Sequence, residues 1–170
     1  MAADIRLVDF GHRHGKFRGD TVLVSLFVYG TLRTPMGGAE EDTRNHARIQ
    51  NHITSSTPAV LEEADLLSFI HYPGIWPGAG SVVGEILEID EEGLEICDEI
   101  EAHPDWYSRK RVVAEADDGG IREVWTYWAP EAMVESGRRI ESGDWFSRDR
   151  SLHDGRTLEQ ALAEDKKNLW

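Results

Sequence analysis

The acidic side chains near residue 100 are the first group in this sequence that could do chemistry. Residues 91–102 predict a helix, because Asp90 can cap its start and apolar residues such as Leu94 and Cys97 recur at helical spacing. On a helical projection Glu101 falls between Leu94 and Cys97, whereas the other acids of the segment fall on the water side. A carboxylate on an apolar face loses hydration, so its pKa rises and it can exchange protons near neutral pH. Glu101 is therefore the candidate general acid and base.

A structural role for the same glutamate also fits the pattern. Glu101 stands at the predicted end of the helix, where a long side chain can reach water or pair with Arg109 or Arg111. The two interpretations differ in whether the carboxylate lies in a pocket, and the pattern leaves both open.

The second candidate is the segment after a predicted buried strand. Residues 21–29 are β-branched and aromatic with apolar side chains on both faces, which is typical of a central strand. A glycine at position 30 lets the chain turn sharply, so the N–H groups of Gly30, Thr31 and Leu32 could face a ligand and hold an anion or an oxyanion. The alternative is a simple turn at the strand end.

Neither a metal nor a cofactor is expected from the remaining motifs. The seven histidines include His12 and His14, but no pair has the spacing of a zinc site. Residues 78–84 have the wrong glycine spacing for a dinucleotide fingerprint, and they precede a strand instead of following one. Cys97 lies on the apolar arc of the helix, which indicates a core residue and not a nucleophile.

The elements that must position these candidates are mostly strands. In chain order after the first strand, the predictions are a helix over 40–53, strands near 60–61 and 66–70, an ordered loop over 71–80, a strand over 82–89, the helix from 91, strands over 107–116 and 121–129 around a turn at 117–120, and a helix over 158–169. The mixed order predicts an α+β fold that could close its sheet.

The charge balance excludes several classes of partner. The 170 residues carry 32 acidic and 18 basic side chains, a formal net charge of −14, so nucleic acid and anionic membranes would be repelled. The short basic clusters are expected to be solvated surface. An acid-rich chain with 14 arginines and 4 lysines fits either a salt-loving source or an ordinary acidic protein.

The cysteine content and hydropathy indicate the compartment. A single cysteine forms no disulfide within the chain, which suits a reducing environment. No signal-peptide pattern and no apolar run of 18 residues occurs. We expect a cytoplasmic protein.

Five motifs follow one another along the chain. They are Phe27-Val28-Tyr29-Gly30-Thr31-Leu32-Arg33, Tyr72-Pro73-Gly74-Ile75-Trp76-Pro77-Gly78, the strand Val82–Asp90, Cys97-Asp98-Glu99-Ile100-Glu101 followed by Trp106-Tyr107-Ser108-Arg109, and Ser142-Gly143-Asp144-Trp145. In this order they resemble the signature of the gamma-glutamylcyclotransferase-like (AIG2-like) family. The resemblance runs from about Val22 to Trp145, and Cys97 stands where the family usually has leucine.

The resemblance implies an α+β fold with a mixed β-barrel, a few helices around it and a cavity at one end. It implies an enzyme of transferase or lyase type that cleaves the C–N bond of a γ-glutamyl amine or peptide. In that reaction the α-amine of the substrate attacks its own γ-carbonyl, and 5-oxoproline leaves with the free amine. The expected partner is a small γ-glutamyl compound, without nucleic acid, membrane or cofactor.

The resemblance also implies roles for particular residues. The catalytic glutamate of the family falls on Glu101. Its substrate-binding loop falls on Tyr29, Gly30, Thr31 and Leu32. Tyr107 is a candidate pocket wall and hydrogen-bond donor, and Arg109 is a candidate partner for a carboxylate, although both could be structural.

The domain boundaries follow from the same motifs. We expect the family domain over 21–146, an N-terminal extension over 1–20 and a helical C-terminal extension over 147–170. A non-catalytic module that binds a small metabolite in the same cavity is the alternative function, and an acidic interaction protein is a third. The γ-glutamyl compound and the oligomeric state stay open.

Overall fold

The computed structural model describes residues 21–36 and 40–150, together with residues 163, 166 and 167. The strands are β1 (Leu23–Val28), β2 (Ile53–Ser68), β3 (Pro73–Asp90), β4 (Ser108–Ala116), β5 (Ile121–Trp128) and β6 (Arg138–Arg139). The α-helices are α1 (His46–Ile49) and α2 (Glu91–Ile100), and 3₁₀ turns cover Glu40–Thr43, Gln50–His52, Glu131–Ser136 and Trp145–Ser147.

Five of the strands close into a barrel. They run in the order β3-β1-β5-β4-β2, and the pairing of β2 with β3 joins the two ends. The pair β1–β5 is parallel and the other pairs are antiparallel, so the sheet is mixed. The two-residue β6 pairs with the end of β2. This architecture confirms the predicted α+β barrel with few helices.

The strand β1 is buried on both of its faces, as its sequence predicts. Phe27 packs in a cluster drawn from all five barrel strands. Its neighbours Leu26 and Val28 belong to a second cluster, which includes Cys97 of α2 and Ile49 of α1. The helices therefore cover the face of β1 that the barrel interior does not occupy.

The prediction of an ordered loop over residues 71–80 is wrong, because β3 already begins at Pro73. Only the later part of β3, from Glu85 to Asp90, pairs with β1, so the first half has a partner strand on one side only. Proline lacks a donor and is tolerated on such an edge. The two strands predicted near 60–61 and 66–70 are likewise one strand, β2, with irregular register between Glu62 and Ala64.

The polar helix predicted over 40–53 is present only as short turns around the four residues of α1. The helix predicted from residue 91 is confirmed. The carboxylate of Asp90 accepts a hydrogen bond of 2.7 Å from the N–H of Gly93 and caps α2. The helix ends where Ala102 takes a left-handed conformation, φ 50°, and the N–H of His103 donates to the carbonyl of Asp98.

The β4–β5 hairpin and its turn are as predicted, with Gly119 at φ 85°. After the barrel, the chain is tied back to the segment before α1. The buried carboxylate of Asp42 pairs with Arg148 at 2.6 Å and also with Arg150, and Arg148 lies over the Trp145 ring.

Several predictions fall outside the described residues. These are the N-terminal extension over 1–20, with His12 and His14, and the helix over 158–169. Of that helix only residues 163, 166 and 167 are described, and they are helical. Among the described residues, no helix is long and apolar enough to cross a membrane.

Candidate active site

A cavity of about 430 Å³ lies at one end of the barrel. The parallel strands β1 and β5 both end there, and β4 begins there. All six residues selected from the sequence line this single cavity, namely Tyr29, Gly30, Thr31, Leu32, Glu101 and Tyr107. Positions more than 70 residues apart in sequence are therefore brought together by closure of the barrel.

The turn after β1, residues 30–32, lines this cavity and carries three backbone donors. The carbonyls of Gly30, Thr31 and Leu32 all accept hydrogen bonds, from the Arg33 N–H, the Asn45 N–H and the His46 ring. The N–H groups of the same three residues have no partner within the part of the chain that the structure describes. All three residues are buried. Buried N–H groups are rarely left without an acceptor, so these donors suit an oxygen of a ligand.

The backbone of Glu101 is held from both sides. Its N–H donates to the carbonyl of Cys97 at 3.0 Å, and its own carbonyl accepts from the N–H of Tyr107 at 3.2 Å. These bonds fix the residue at the junction between α2 and β4, so that its side chain lines the cavity. Burial raises the pKa of Glu101 from 4.5 to about 7, although the positive charge of Arg44 acts in the opposite direction. The carboxyl can therefore both accept and donate a proton at neutral pH.

The two arginines that could have neutralised Glu101 are paired elsewhere. Arg109 forms an ion pair of 2.9 Å with Asp98 and stacks on Trp125. Arg111 pairs with Glu123. Neither arginine lines the cavity, so Arg109 is not placed to meet a substrate carboxylate there.

Three of the tyrosines in the cavity wall use their hydroxyls to donate hydrogen bonds within the protein. Tyr29 donates to the carbonyl of Tyr127 at 2.7 Å, and Tyr107 donates to the carbonyl of Pro73 at 2.9 Å. Tyr127 donates to the carboxylate of Asp98 at 2.6 Å. Burial raises the pKa of Tyr29 and of Tyr127, so both stay neutral.

Several lining residues have no signature in the sequence. Arg44, Asn45 and Arg48 come from the polar stretch over 40–53, for which the sequence predicted a helix and no binding site. Lys166 comes from the far end of the chain. No local sequence motif could mark these residues as neighbours of Glu101, because only the tertiary fold sets the distance between them.

Cys97 and the acidic groups do not form other reactive centres. Burial raises the pKa of Cys97 to about 12, and the residue is a fully buried part of the core, as predicted. Across residues 21–36 and 40–150, no group of three or more histidine, cysteine or acidic side chains could hold a metal ion.

Comparison with known proteins identifies the family. The family model for gamma-glutamyl cyclotransferase, AIG2-like, proteins matches residues 26–147. The chain belongs to this family. The gamma-glutamylcyclotransferase family protein YtfP of Escherichia coli is 31% identical over 125 residues, 74% of this chain and 98% of its own length. A gamma-glutamylaminecyclotransferase of Bos taurus is 34% identical over 98 residues, 53% of this chain and 55% of its own length.

Solved structures of the family share the fold. The solution structure of YtfP has a TM-score of 0.51 and 29% identity, with 74% of this chain and 99% of that chain covered. The crystal structure of a mouse AIG2-like protein has a TM-score of 0.53 and 22% identity, with 81% of this chain and 92% of that chain covered. The present chain is an enzyme of the gamma-glutamylcyclotransferase type.

Proposed function

We propose that this enzyme releases 5-oxoproline from a γ-glutamyl amine or γ-glutamyl peptide, with Glu101 as its general acid and base. One observation carries the proposal. A carboxyl whose pKa is about 7 shares a cavity with three buried N–H groups that have no partner in the described chain. Proton transfer and oxyanion stabilisation are the two needs of acyl transfer from an amide.

The α-amine of the substrate is the nucleophile. At neutral pH it is mostly protonated, so the Glu101 carboxylate first removes a proton from it. The freed nitrogen then attacks the γ-carbonyl carbon of the same glutamyl group and closes a five-membered ring. Because nucleophile and electrophile belong to one molecule, a cavity that folds the glutamyl chain supplies most of the required orientation.

The tetrahedral intermediate carries negative charge on the former carbonyl oxygen. The N–H groups of Gly30, Thr31 and Leu32 are the donors that we assign to this oxygen or to the substrate α-carboxylate. Protonated Glu101 next donates its proton to the leaving nitrogen, and the C–N bond breaks. As the C–N bond breaks, the regenerated Glu101 carboxylate takes the second proton that the ring nitrogen must lose and passes it to the departing amine, which leaves as an ammonium ion. Two protons thus move from the attacking nitrogen to the leaving nitrogen, and no water is consumed. Tyr29 and Tyr107 act as walls of the site.

The proposal needs no metal or cofactor, and its partner is a small γ-glutamyl molecule. We place the enzyme in the cytoplasm, because its only cysteine is a buried thiol that suits a reducing compartment.

The test is a 5-oxoproline assay on the purified full chain with γ-glutamyl amino acids, amines and peptides. We expect turnover of at least one class, and a fall of roughly 10² to 10⁴ in kcat for Glu101→Gln. Glu95→Gln is the matched control, because Glu95 is exposed on the same helix and does not line the cavity. Binding of a γ-glutamyl compound without any turnover would instead establish the metabolite-binding module.

A further inference from the structure

The cavity carries more positive charge than the composition of the chain suggests. The whole chain has a net charge of −14. Among the described residues that line the cavity, however, the cations are Arg44, Arg48 and Lys166, and the acids are Glu99 and Glu101. Glu101 is half-protonated near neutral pH, so the balance within the site is positive. A cationic site in an acidic protein points to an anionic group on the ligand.

Exposure separates the depth of the cavity from its mouth. Thr31 and Leu32 are only 6% and 4% exposed. The side chain of Arg48 is 48% exposed, and Lys166 is also exposed. If the glutamyl group occupies the deep end, beside Glu101 and the free N–H groups, the leaving amine extends toward Arg48 and Lys166.

Both mouth cations can turn to a ligand at small cost. Arg48 lies 3.5 Å from the carboxylate of Glu99, whose side chain is 75% exposed. Such a surface ion pair contributes little to stability, so a substrate carboxylate can compete for the guanidinium. The ammonium of Lys166 lies 5.2 Å from the centroid of the Trp106 ring, and this contact keeps it beside the cavity.

Lys166 also distinguishes this chain from the shared family domain. The family model ends at residue 147, so the C-terminal segment contributes a cavity residue that the common domain does not contain. A residue supplied from outside the catalytic domain can change substrate preference without disturbing the chemistry at Glu101.

We infer that Arg48 and Lys166 bind a carboxylate on the leaving amine. The preferred substrates are then γ-glutamyl amino acids or peptides, over γ-glutamylamines whose leaving group is neutral or cationic. This inference rests on the proposed cyclotransferase reaction and assigns its substrate class. Arg48 and Lys166 are specificity residues, because they do not touch the reacting atoms.

The experiment compares three substrates on the full chain: γ-glutamyl-alanine, its amide γ-glutamyl-alaninamide, and γ-glutamyl-putrescine. The first two have nearly the same shape and differ in the leaving-group carboxylate. We expect kcat/KM to fall in the order given, mainly through KM. Arg48→Gln and Lys166→Gln should each reduce the preference for the acid over the amide by up to about fivefold, the range of an exposed ion pair. The loss in kcat/KM should be smaller for the amide than for the acid, because the amide lacks the carboxylate that these side chains bind.

Lys167→Gln is the matched control, since Lys167 is the exposed neighbour of Lys166 and does not line the cavity. It should leave the preference unchanged, whereas Arg48→Glu should reverse it toward γ-glutamyl-putrescine. Equal kcat/KM for acid and amide in the parent enzyme, or an unchanged preference in Arg48→Gln and Lys166→Gln, would overturn the inference while the cyclotransferase reaction stands. Absence of 5-oxoproline from every γ-glutamyl compound would overturn the proposed function and the inference with it.

Discussion

The buried carboxyl of Glu101 costs stability, and it is the group to which we assign the proton transfers. Its carboxyl is withdrawn from water in the cavity, and its pKa of about 7 records the cost of holding a charge there. The same pKa matches the pH at which a single group must serve as base and then as acid. Replacing the carboxyl should therefore separate stability from turnover.

Glu101→Gln should stabilise the fold in a pH-dependent way. The folded-state pKa of about 7 is raised above the unfolded value of 4.5, so between these values the folded chain binds a proton that the unfolded chain does not. The contribution of Glu101 to stability therefore falls as pH rises through this window. We expect the variant to match the parent at about pH 4.5 and to gain up to about 3 kcal/mol at pH 8.

Urea denaturation at several values between pH 4.5 and 8 measures this difference, with Glu95→Gln as the exposed control on the same helix. A gain for Glu101→Gln that is the same at every pH would contradict a desolvated carboxyl. A loss of stability would indicate that Glu101 is held by a favourable ion pair.

Arg44 should set the acidic limb of the pH profile. Its positive charge lowers the pKa of Glu101 against the effect of burial, and its guanidinium also donates to the carbonyl of His71 at 2.8 Å. Removal of the charge in Arg44→Gln should raise the pKa of Glu101 and move the rise of kcat/KM to higher pH. Arg44→Lys keeps a charge and a donor, so its limb should stay closer to that of the parent. If the acidic limb of the kcat/KM profile does not move in Arg44→Gln, the pKa that it reports does not belong to Glu101.

At the scale of elements, the turn after β1 and the start of β3 approach each other closely at Gly30. A Cβ atom built on Gly30 would lie 2.2 Å from Cγ and 2.9 Å from Cδ of Pro73, the first residue of β3. The proline ring is rigid and cannot move aside as a long side chain would. Glycine at position 30 is therefore required by the packing of β3 against the turn, in addition to any need for backbone freedom.

Gly30→Ala should cost about 1–3 kcal/mol of stability, the usual effect of overpacking, and should displace the N–H groups of the turn. Because the donors move, kcat/KM should fall by more than the loss of folded protein explains. Gly120→Ala in the hairpin turn is the matched control, since the closest atom to a Cβ there would be a terminal carboxylate oxygen of Asp118, at 2.9 Å, on a side chain that can move. Denaturant titration and the 5-oxoproline assay give the two readouts. Equal losses in the two variants would count against the packing argument.

At the scale of the whole molecule, the net charge of −14 opposes compaction. Salt screens this repulsion, because the Debye length falls from about 10 Å at 0.1 M to about 3 Å at 1 M. We expect Tm to rise by several degrees between dilute buffer and molar KCl at pH 7.5. The control is the same titration near pH 5, close to the sequence pI of about 4.8, where the net charge and the benefit of salt should both vanish. If Tm does not rise with salt at pH 7.5, the salt-loving source is excluded and the chain is an ordinary acidic protein.

Local patterns in the sequence predict several elements of this fold, because the interactions that form them lie within a few residues of one another. The capping of α2 by Asp90 is one of them, as is the apolar arc that carries Cys97 and leads to Glu101. The burial of β1 on both faces is another. The order of the motifs along the chain was sufficient to indicate the family and the barrel.

Contacts between distant segments decided the rest. Pro73 begins a strand because β2 can pair with it on one side while its other side needs no donor. Arg44 and Lys166 lie at the same cavity as Glu101 although they are separated from it by 57 and 65 residues. No local pattern encodes such a distance, because it depends on the closure of β2 on β3 and on the contact of Lys166 with the Trp106 ring. The pKa of Glu101 depends on both burial and Arg44, so the chemistry of that residue is a property of the tertiary structure.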